Sequence, residues 1–322
     1  MLSGNFSCAD ILIMKALVIS GGGSKGAFAG GIAEYLLKDC GNKYDLLVGC
    51  STGSLLLPHI SIGKIEKIKQ VYTTVTQKDI FSISPFIIRK TKNGYKTSIN
   101  HFNTIRSFLK RSPTFGESNN LRTLIKSSIT ENEFEELQKQ QRKILLTISN
   151  ITQQTVEYIS SDECTYGEFC DWTWASANFI PFMSVFEHNG NQYADGGFGS
   201  HVPLSCALEN GACDVDVIIL DNEHLNRYQG ISKNPFSLLF KTMRFMSTQI
   251  SLKDVIIGKL MGEKKRVDVR IYYLPGGLTD NVLVFDSEQM KQWWAEGYEY
   301  AKRNKPVCYC YMPDGRFMQM KF

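Results

Sequence analysis

The sequence lacks any run of about 18 uninterrupted apolar residues, the length that a membrane-spanning helix requires. The first fourteen residues also lack the basic start and the long apolar core of a secretory signal. We therefore expect a cytoplasmic protein whose contact with membranes, if any, is peripheral. Residues 1–14 form either an ordered arm or an extension upstream of a natural start at Met14.

Metal-binding and disulfide patterns are also missing. The nine cysteines are scattered through a mid-sized chain, whereas disulfide frameworks belong mainly to small secreted domains. Three loose pairs occur without C-x-x-C spacing or a nearby histidine pair, namely Cys164 and Cys170, Cys206 and Cys213, and Cys308 and Cys310. We expect reduced thiols, no metal and no cofactor. A net charge of +4 is too small to predict nucleic-acid binding.

The sequence does contain short apolar runs that alternate with helical patterns, which predicts an α/β fold with a largely parallel sheet. The predicted strands are Lys15–Ser20, Tyr44–Gly49, Ile144–Ser149, Val215–Leu220 and Val269–Leu274. Two helices are predicted at Ala27–Lys38 and, capped by Asp286, at Ser287–Arg303. No Pro/Gly/Ser-rich linker marks a firm domain boundary along the chain.

A glycine-rich segment, Gly21-Gly22-Gly23-Ser24-Lys25-Gly26, lies between the first predicted strand and the first predicted helix. It fits the G-x-G-x-x-G dinucleotide pattern, but the next strand ends in Val48-Gly49-Cys50-Ser51, with no acid to hold a ribose. A Walker loop needs Gly-Lys-Ser/Thr, whereas Gly26 follows Lys25. A nucleotide-binding oxidoreductase is therefore a distant alternative.

A second segment, Gly49-Cys50-Ser51-Thr52-Gly53, fits the G-x-S-x-G nucleophile elbow at the end of a predicted strand. The glycines permit a sharp turn into a helix, which lifts the serine hydroxyl clear of the backbone; the alternative is a tight turn and nothing more. With Ser51 as a nucleophile, the first segment gains a role, because backbone N–H groups at a helix N-terminus stabilise an oxyanion. Lys25 either adds positive charge nearby or lies in solvent.

A third segment, Asp195-Gly196-Gly197, supplies a carboxylate. Because flexible glycines flank it, this carboxylate can approach a serine hydroxyl closely, although Asp-Gly-Gly in isolation is usually a turn. The segment therefore gains its significance from the two glycine-rich segments that precede it.

Together, and in this order, the three segments resemble the three motifs of the patatin-like phospholipases. Trp174–Pro181 resembles the stretch that precedes the aspartate in that family, and Phe285–Arg303 is similar to the closing helix of bacterial members. The resemblance covers residues 15–210 well and the remainder loosely, and it therefore implies a patatin-like catalytic domain over residues 15–210 that residues 211–322 continue. It implies a three-layer α/β/α fold and an activity that needs no metal.

The resemblance also implies roles for individual residues. Ser51 matches the nucleophile and Asp195 the general base of a Ser-Asp dyad without histidine. The family's oxyanion loop matches Gly22, Gly23, Ser24 and Lys25. Since the family cleaves acyl esters of glycerophospholipids or neutral glycerolipids, a phospholipid or another acyl lipid is the expected substrate. The sequence departs from the family at Lys25, where the forked arginine is common, and at Cys50, where many members carry threonine or alanine.

Other site compositions and activities are also compatible with the residues. The usual hydrolase order of Ser, Asp and then His admits His201 or His224 as a triad member, although His201 follows Asp195 by only six residues. An acyltransferase or a thioesterase can use the same dyad. A lipid-binding protein with a vestigial site is a further alternative, against which the intact dyad and oxyanion loop argue.

Two segments are candidates for contact with lipid. Residues 80–116 contain seven Lys or Arg and no Asp or Glu, together with the aromatic residues Phe81, Phe86, Tyr95, Phe102, Phe108 and Phe115. This composition suits an anionic membrane surface, but a solvated surface with a few buried aromatics explains it equally well. A second segment carries an apolar stripe that consists of Phe236, Leu239, Phe240, Met243 and Met246. Such a stripe is more typical of a core helix than of membrane contact.

Overall fold

The computed structural model describes residues 14–91, 94–223, 231–232, 234–279, 281–311 and 317–320. Its strands are β1 (Lys15–Ile19), β2 (Leu46–Cys50), β3 (Phe86–Thr91), β4 (Gly94–Ile99), β5 (Lys143–Asn150), β6 (Thr155–Ser160), β7 (Phe186–His188), β8 (Asn191–Asp195), β9 (Asp214–Ile219), β10 (Asp268–Tyr273), β11 (Val307–Tyr311) and β12 (Phe317–Met320). Its α-helices are α1 (Gly26–Lys38), α2 (Thr52–Ser61), α3 (Ile65–Thr74), α4 (Gln77–Ile80), α5 (His101–Leu109), α6 (Asn119–Ser128), α7 (Glu131–Lys139), α8 (Tyr166–Ser176), α9 (Leu204–Glu209), α10 (Pro235–Lys265) and α11 (Ser287–Arg303). Apart from Met14, the expected N-terminal extension lies outside the described residues.

One mixed sheet of ten strands organises the fold, in the order β12-β11-β10-β9-β1-β2-β5-β8-β7, with β6 also paired to β5. The central strands β10, β9, β1, β2 and β5 run parallel to one another. Antiparallel strands extend both edges. The prediction of a largely parallel sheet is therefore confirmed at the centre. The five predicted strands are these five central ones, with ends that differ by at most two residues.

Two apolar cores lie on opposite faces of the sheet, because alternate residues of a strand point to opposite faces. Leu17 and Ile19 of β1 belong to the core that α1, α2, α3, α8 and α11 cover. Ala16 and Val18 belong to the other core, which α9 and α10 cover. The three-layer α/β/α prediction is thus confirmed.

Helix α11 packs against α1 and holds it beneath the sheet. The indole N–H of Trp294 donates to Oε2 of Glu34 at 2.6 Å, and both side chains are buried. The carboxylate of Asp286 accepts a hydrogen bond from the backbone N–H of Gln289 at 2.9 Å, so the predicted cap of this helix is confirmed. This packing fixes α1, and α1 starts directly after the glycine-rich loop.

The basic and aromatic segment 80–116 contains β3 and β4, which form a separate two-stranded hairpin, and α5. Residues 92–93 and the side chains of Lys96 and Phe108 lie outside what the structure describes. None of the described helices is both long enough and apolar enough to span a bilayer.

Candidate active site

Ser51 occupies a strained turn between β2 and α2. Its φ of 53° and ψ of −120° are rare for a residue with a side chain. Gly53 permits this turn, because a Cβ atom there would lie 2.3 Å from the carbonyl oxygen of Ile19. The turn therefore has the form of a nucleophile elbow, and its glycine spacing is a steric requirement.

The carboxylate of Asp195 lies directly against the Ser51 hydroxyl, with 2.6 Å between Oδ2 and Oγ. Strand β5 brings the two residues together because it pairs with both of their strands. Cys50 is opposite Thr147, and Asp195 is opposite Ile148. Ser51 and Asp195, which are 144 positions apart in sequence, thus meet across β5 at the ends of β2 and β8.

Burial and hydrogen bonds set the protonation of Asp195. Burial raises the pKa of its carboxyl to about 6, while the hydrogen bonds from Ser51 and Gly197 lower it and offset part of that shift. The Gly197 N–H donates to Oδ1 at 2.8 Å, and the Cys50 Sγ lies 3.9 Å from the same oxygen. The carboxylate is therefore ionised at neutral pH with a pKa near that of an effective general base.

The glycine-rich loop lies beside this pair, and most of its amides are already paired. The paired N–H groups are those of Gly21 with the His201 carbonyl at 3.2 Å, Ser24 with the Val282 carbonyl at 2.9 Å and Lys25 with the Gly22 carbonyl at 3.2 Å. Within the described residues, the N–H groups of Gly22 and Gly23 have no such partner, and both residues line the cavity that contains Ser51. At Gly23, a φ of +55° and the Val282 carbonyl 2.3 Å from an added Cβ require glycine.

Lys25 is buried, so the alternative that it lies in solvent is wrong. Its ammonium donates to the carbonyl of Leu220 and lies 3.3 Å from Oδ1 of Asp221. Burial alone would raise the pKa of Asp221, but the positive charge and the hydrogen bond of Lys25 act against it, and the pKa of that carboxyl is lowered. The loop thus carries a cation that a carboxylate neutralises.

The described histidines contact neither Ser51 nor Asp195 through a hydrogen bond. His201 lines the same cavity, but its Nδ1 pairs with the Ser247 hydroxyl at 3.3 Å and its Nε2 lies 3.7 Å from Oδ2 of Asp221. Burial lowers the pKa of His201, so the ring is neutral at neutral pH. The remaining triad candidate, His224, lies outside the described residues.

Three further residues support the site, although the sequence alone suggested no role for them. Ser176 accepts a hydrogen bond from the Ser51 N–H at 3.1 Å and donates to the Thr147 carbonyl at 2.8 Å, which locks the elbow to β5. Asp221 holds Lys25, and Asp254 accepts from the backbone N–H of His201 at 2.7 Å. Only Ser176 carried a signal, since it lies in the stretch that resembles the family's block before the aspartate.

A cavity of about 960 Å³ opens from Ser51 and Asp195. Its wall is largely apolar and includes Leu55 of α2, Ile68 of α3 and Leu121 of α6. It falls within the usual range for small-molecule sites, and an apolar chain attached to a reacting carbonyl can occupy it. No group of three or more His, Cys, Asp or Glu side chains in the described part of the chain is arranged to hold a metal.

The predicted apolar stripe on α10 has a mixed environment. Phe236, Phe240 and Met243 line the cavity, and the Phe240 ring stacks on that of Phe182 with centroids 4.4 Å apart. Leu239 packs against the core, whereas Met246 is exposed. Most of the stripe therefore belongs to the core, as the core-helix interpretation predicts.

Comparison with known proteins identifies a family and similar solved structures. A family model described as patatin-like phospholipase matches residues 17–208, which is more than half of the chain. The crystal structure of VipD from Legionella pneumophila is similar with a TM-score of 0.49 and 12% sequence identity, and the match covers 93% of this chain and 68% of the VipD chain. No curated protein matches the sequence.

Proposed function

This chain belongs to the patatin-like phospholipase family, and on that premise we propose that it hydrolyses fatty-acyl esters of lipids, with Ser51 as the nucleophile and Asp195 as the general base. Lipid acyl hydrolysis in general is the activity of the family. The 2.6 Å contact between the Ser51 hydroxyl and the Asp195 carboxylate carries the assignment of the two residues. The contact supports the proposal because a carboxylate oxygen at hydrogen-bond distance can accept the proton of a hydroxyl on a strained elbow.

The first half of the proposed reaction acylates the enzyme. Oγ of Ser51 attacks the ester carbonyl carbon while Asp195 accepts the hydroxyl proton. The carbonyl oxygen becomes an oxyanion, for which the N–H groups of Gly22 and Gly23 are the available donors in the loop. The carbon–oxygen bond to the lipid alcohol then breaks, and the alkoxide leaves with the proton held by Asp195.

The second half returns the enzyme to its starting state. Asp195 accepts a proton from a water molecule, whose oxygen attacks the acyl carbon of the ester on Ser51. The second tetrahedral intermediate collapses, the fatty acid is released, and the proton returns to Oγ of Ser51. The apolar cavity beside the dyad suits the acyl chain during both halves. We also propose that residues 80–116 bring the protein to a membrane surface.

Incubation with a mixture of glycerophospholipids and neutral glycerolipids, followed by mass spectrometry of the products, tests the activity. We expect the wild type to release free fatty acid, and Ser51→Ala to release none. Ser127→Ala, which changes an exposed serine outside the cavity, serves as the matched control and should behave as the wild type. Acyl transfer to an added alcohol or thiol without free fatty acid would contradict hydrolysis and indicate an acyltransferase.

A further inference from the structure

Helix α5 carries large apolar side chains on its outer face and small polar side chains on its inner face. Phe102, Ile105 and Leu109 are 75%, 59% and 81% exposed. Thr104 and Ser107 are buried. The surface helices of globular proteins normally have the opposite arrangement, because the burial of apolar surface drives folding.

The three exposed side chains form one stripe, since positions i, i+3 and i+7 lie on the same face of a helix. Hydrogen bonds satisfy the polar groups of the inner face, and the one from Asn103 joins the helix to the segment before β3. The Thr104 hydroxyl donates to the Asn100 carbonyl at 3.0 Å, and the Asn103 amide donates to the Ser84 carbonyl at 2.8 Å. The Ser107 hydroxyl lies 3.4 Å from the carbonyl oxygen of Phe115. The helix is therefore held in an orientation that leaves its apolar stripe open to a partner.

The exposed charged side chains of residues 80–116 are all basic. Arg106 and Lys110 are exposed one helical position after Ile105 and Leu109, and Arg89 and Lys90 are exposed on β3. The whole segment 80–116 contains no Asp or Glu. An apolar stripe flanked by basic groups is the pattern of helices that lie in the interface of an anionic bilayer.

We propose that α5 and the β3–β4 hairpin form a docking surface for an anionic lipid bilayer, with the stripe of Phe102, Ile105 and Leu109 inserted among the acyl chains and the basic side chains at the headgroups. The inference rests on the proposed function and deepens it, because the same segment borders the catalytic cavity. Ile99 and His101, at the junction of hairpin and helix, line that cavity. Docking therefore brings lipid molecules to the cavity that contains Ser51.

Co-sedimentation with phosphatidylcholine vesicles, with and without phosphatidylserine and across a salt series, tests the docking surface. We expect wild-type binding to require phosphatidylserine and to weaken as salt rises. The triple variant Phe102→Ser, Ile105→Ser, Leu109→Ser should bind at least about tenfold more weakly. Arg106→Gln with Lys110→Gln should weaken binding and reduce its salt dependence. Ile256→Ser with Leu260→Ser, which changes exposed apolar residues of α10, is the matched control and should bind as the wild type.

Turnover of a short soluble ester separates this inference from the proposed function. The α5 variants should retain wild-type turnover of that ester. If the wild type binds vesicles but does not turn over the ester, the hydrolase assignment is contradicted and the docking surface is not. Binding that is indifferent to phosphatidylserine and salt, or an equal loss in the α5 and α10 variants, would overturn the docking surface. A dimer that the triple variant dissociates, without vesicle binding, would overturn it in favour of a second copy of the chain.

Discussion

The ammonium of Lys25 lies 3.3 Å from Oδ1 of Asp221, so the cation of the glycine-rich loop is paired with a carboxylate just beyond the end of β9. The two residues are 196 positions apart, and their contact joins the loop before α1 to the segment after β9, the strand that pairs with β1. The pair fixes the side chain of Lys25, which lies two positions after Gly23 in the loop.

Removal of one member of this pair should destabilise the protein. In Asp221→Asn or Lys25→Met, one largely buried charge loses its partner, which we expect to lower the free energy of unfolding by about 1–3 kcal/mol. Lys25→Arg, which keeps the charge, is the matched control and should cost less than either. Urea denaturation measures all three. Stabilities indistinguishable from the wild type would show that solvent already screens the pair.

Asp195→Asn should inactivate the protein and stabilise it at the same time. General-base catalysis contributes typically about 10²–10⁴ in rate, so turnover should fall by that factor. Burial raises the carboxyl pKa from 3.8 to about 6 in the folded protein. The contribution of this carboxyl to the stability of the wild type is therefore fully present below pH about 4 and is lost as the pH rises through about 6. Relative to the wild type, the variant should gain up to about 3 kcal/mol above that pH.

Thermal denaturation at pH 4 and pH 8 measures this gain in Asp195→Asn. The two proteins should be similar in stability at the lower pH and should separate at the higher one. A variant that is less stable than the wild type at pH 8 would contradict a raised carboxyl pKa.

The pH dependence of turnover should identify the base. With Asp195 in this role, kcat/KM on a soluble ester falls below pH about 6, because the carboxyl with its pKa of about 6 becomes protonated. His201→Gln should keep most of the activity and the same acidic limb, since the imidazole contacts Ser247 and Asp221 instead of Ser51. An acidic limb that disappears in His201→Gln, or activity as low as that of Asp195→Asn, would favour a triad. The same measurement on His224→Gln covers the second histidine candidate.

Gly53→Ala should disrupt the elbow. The added Cβ would lie 2.3 Å from the Ile19 carbonyl oxygen, and this backbone atom belongs to the centre of the sheet. We expect a loss of about 2 kcal/mol or more in the free energy of unfolding, together with lost turnover. Gly167→Ala is the matched control, since nothing lies within 4 Å of its added Cβ and helix α8 favours alanine. Equal stability of the two variants would contradict a steric requirement at Gly53.

The sequence predicts the parts of this fold that local patterns encode. The five parallel strands are buried on both faces and appear as short apolar runs, and Ser287–Arg303 shows both its cap and its apolar stripe. The dyad could be predicted only through the resemblance to the family, since the contact between Ser51 and Asp195 depends on how distant strands pair.

The features that could not be predicted depend on tertiary contacts. Asn191–Asp195 is short and largely polar, so β8 becomes a strand through its pairing with β5 and β7. Asp221 and Asp254 gain their partners across long sequence separations, which no local pattern encodes. The outward stripe of α5 was not evident either, because helical spacing does not say which face turns toward the protein.

Covalent labelling of Ser51 tests the central claim most directly. A fluorophosphonate probe reacts with an activated serine, so the intact mass of the wild type should rise by one adduct, and peptide mapping should place it on Ser51. Ser127→Ala should label as the wild type does. Ser51→Ala should show no adduct, and Asp195→Asn should label far more slowly because its hydroxyl has lost its proton acceptor. An adduct of unchanged mass and rate in Ser51→Ala would contradict the account.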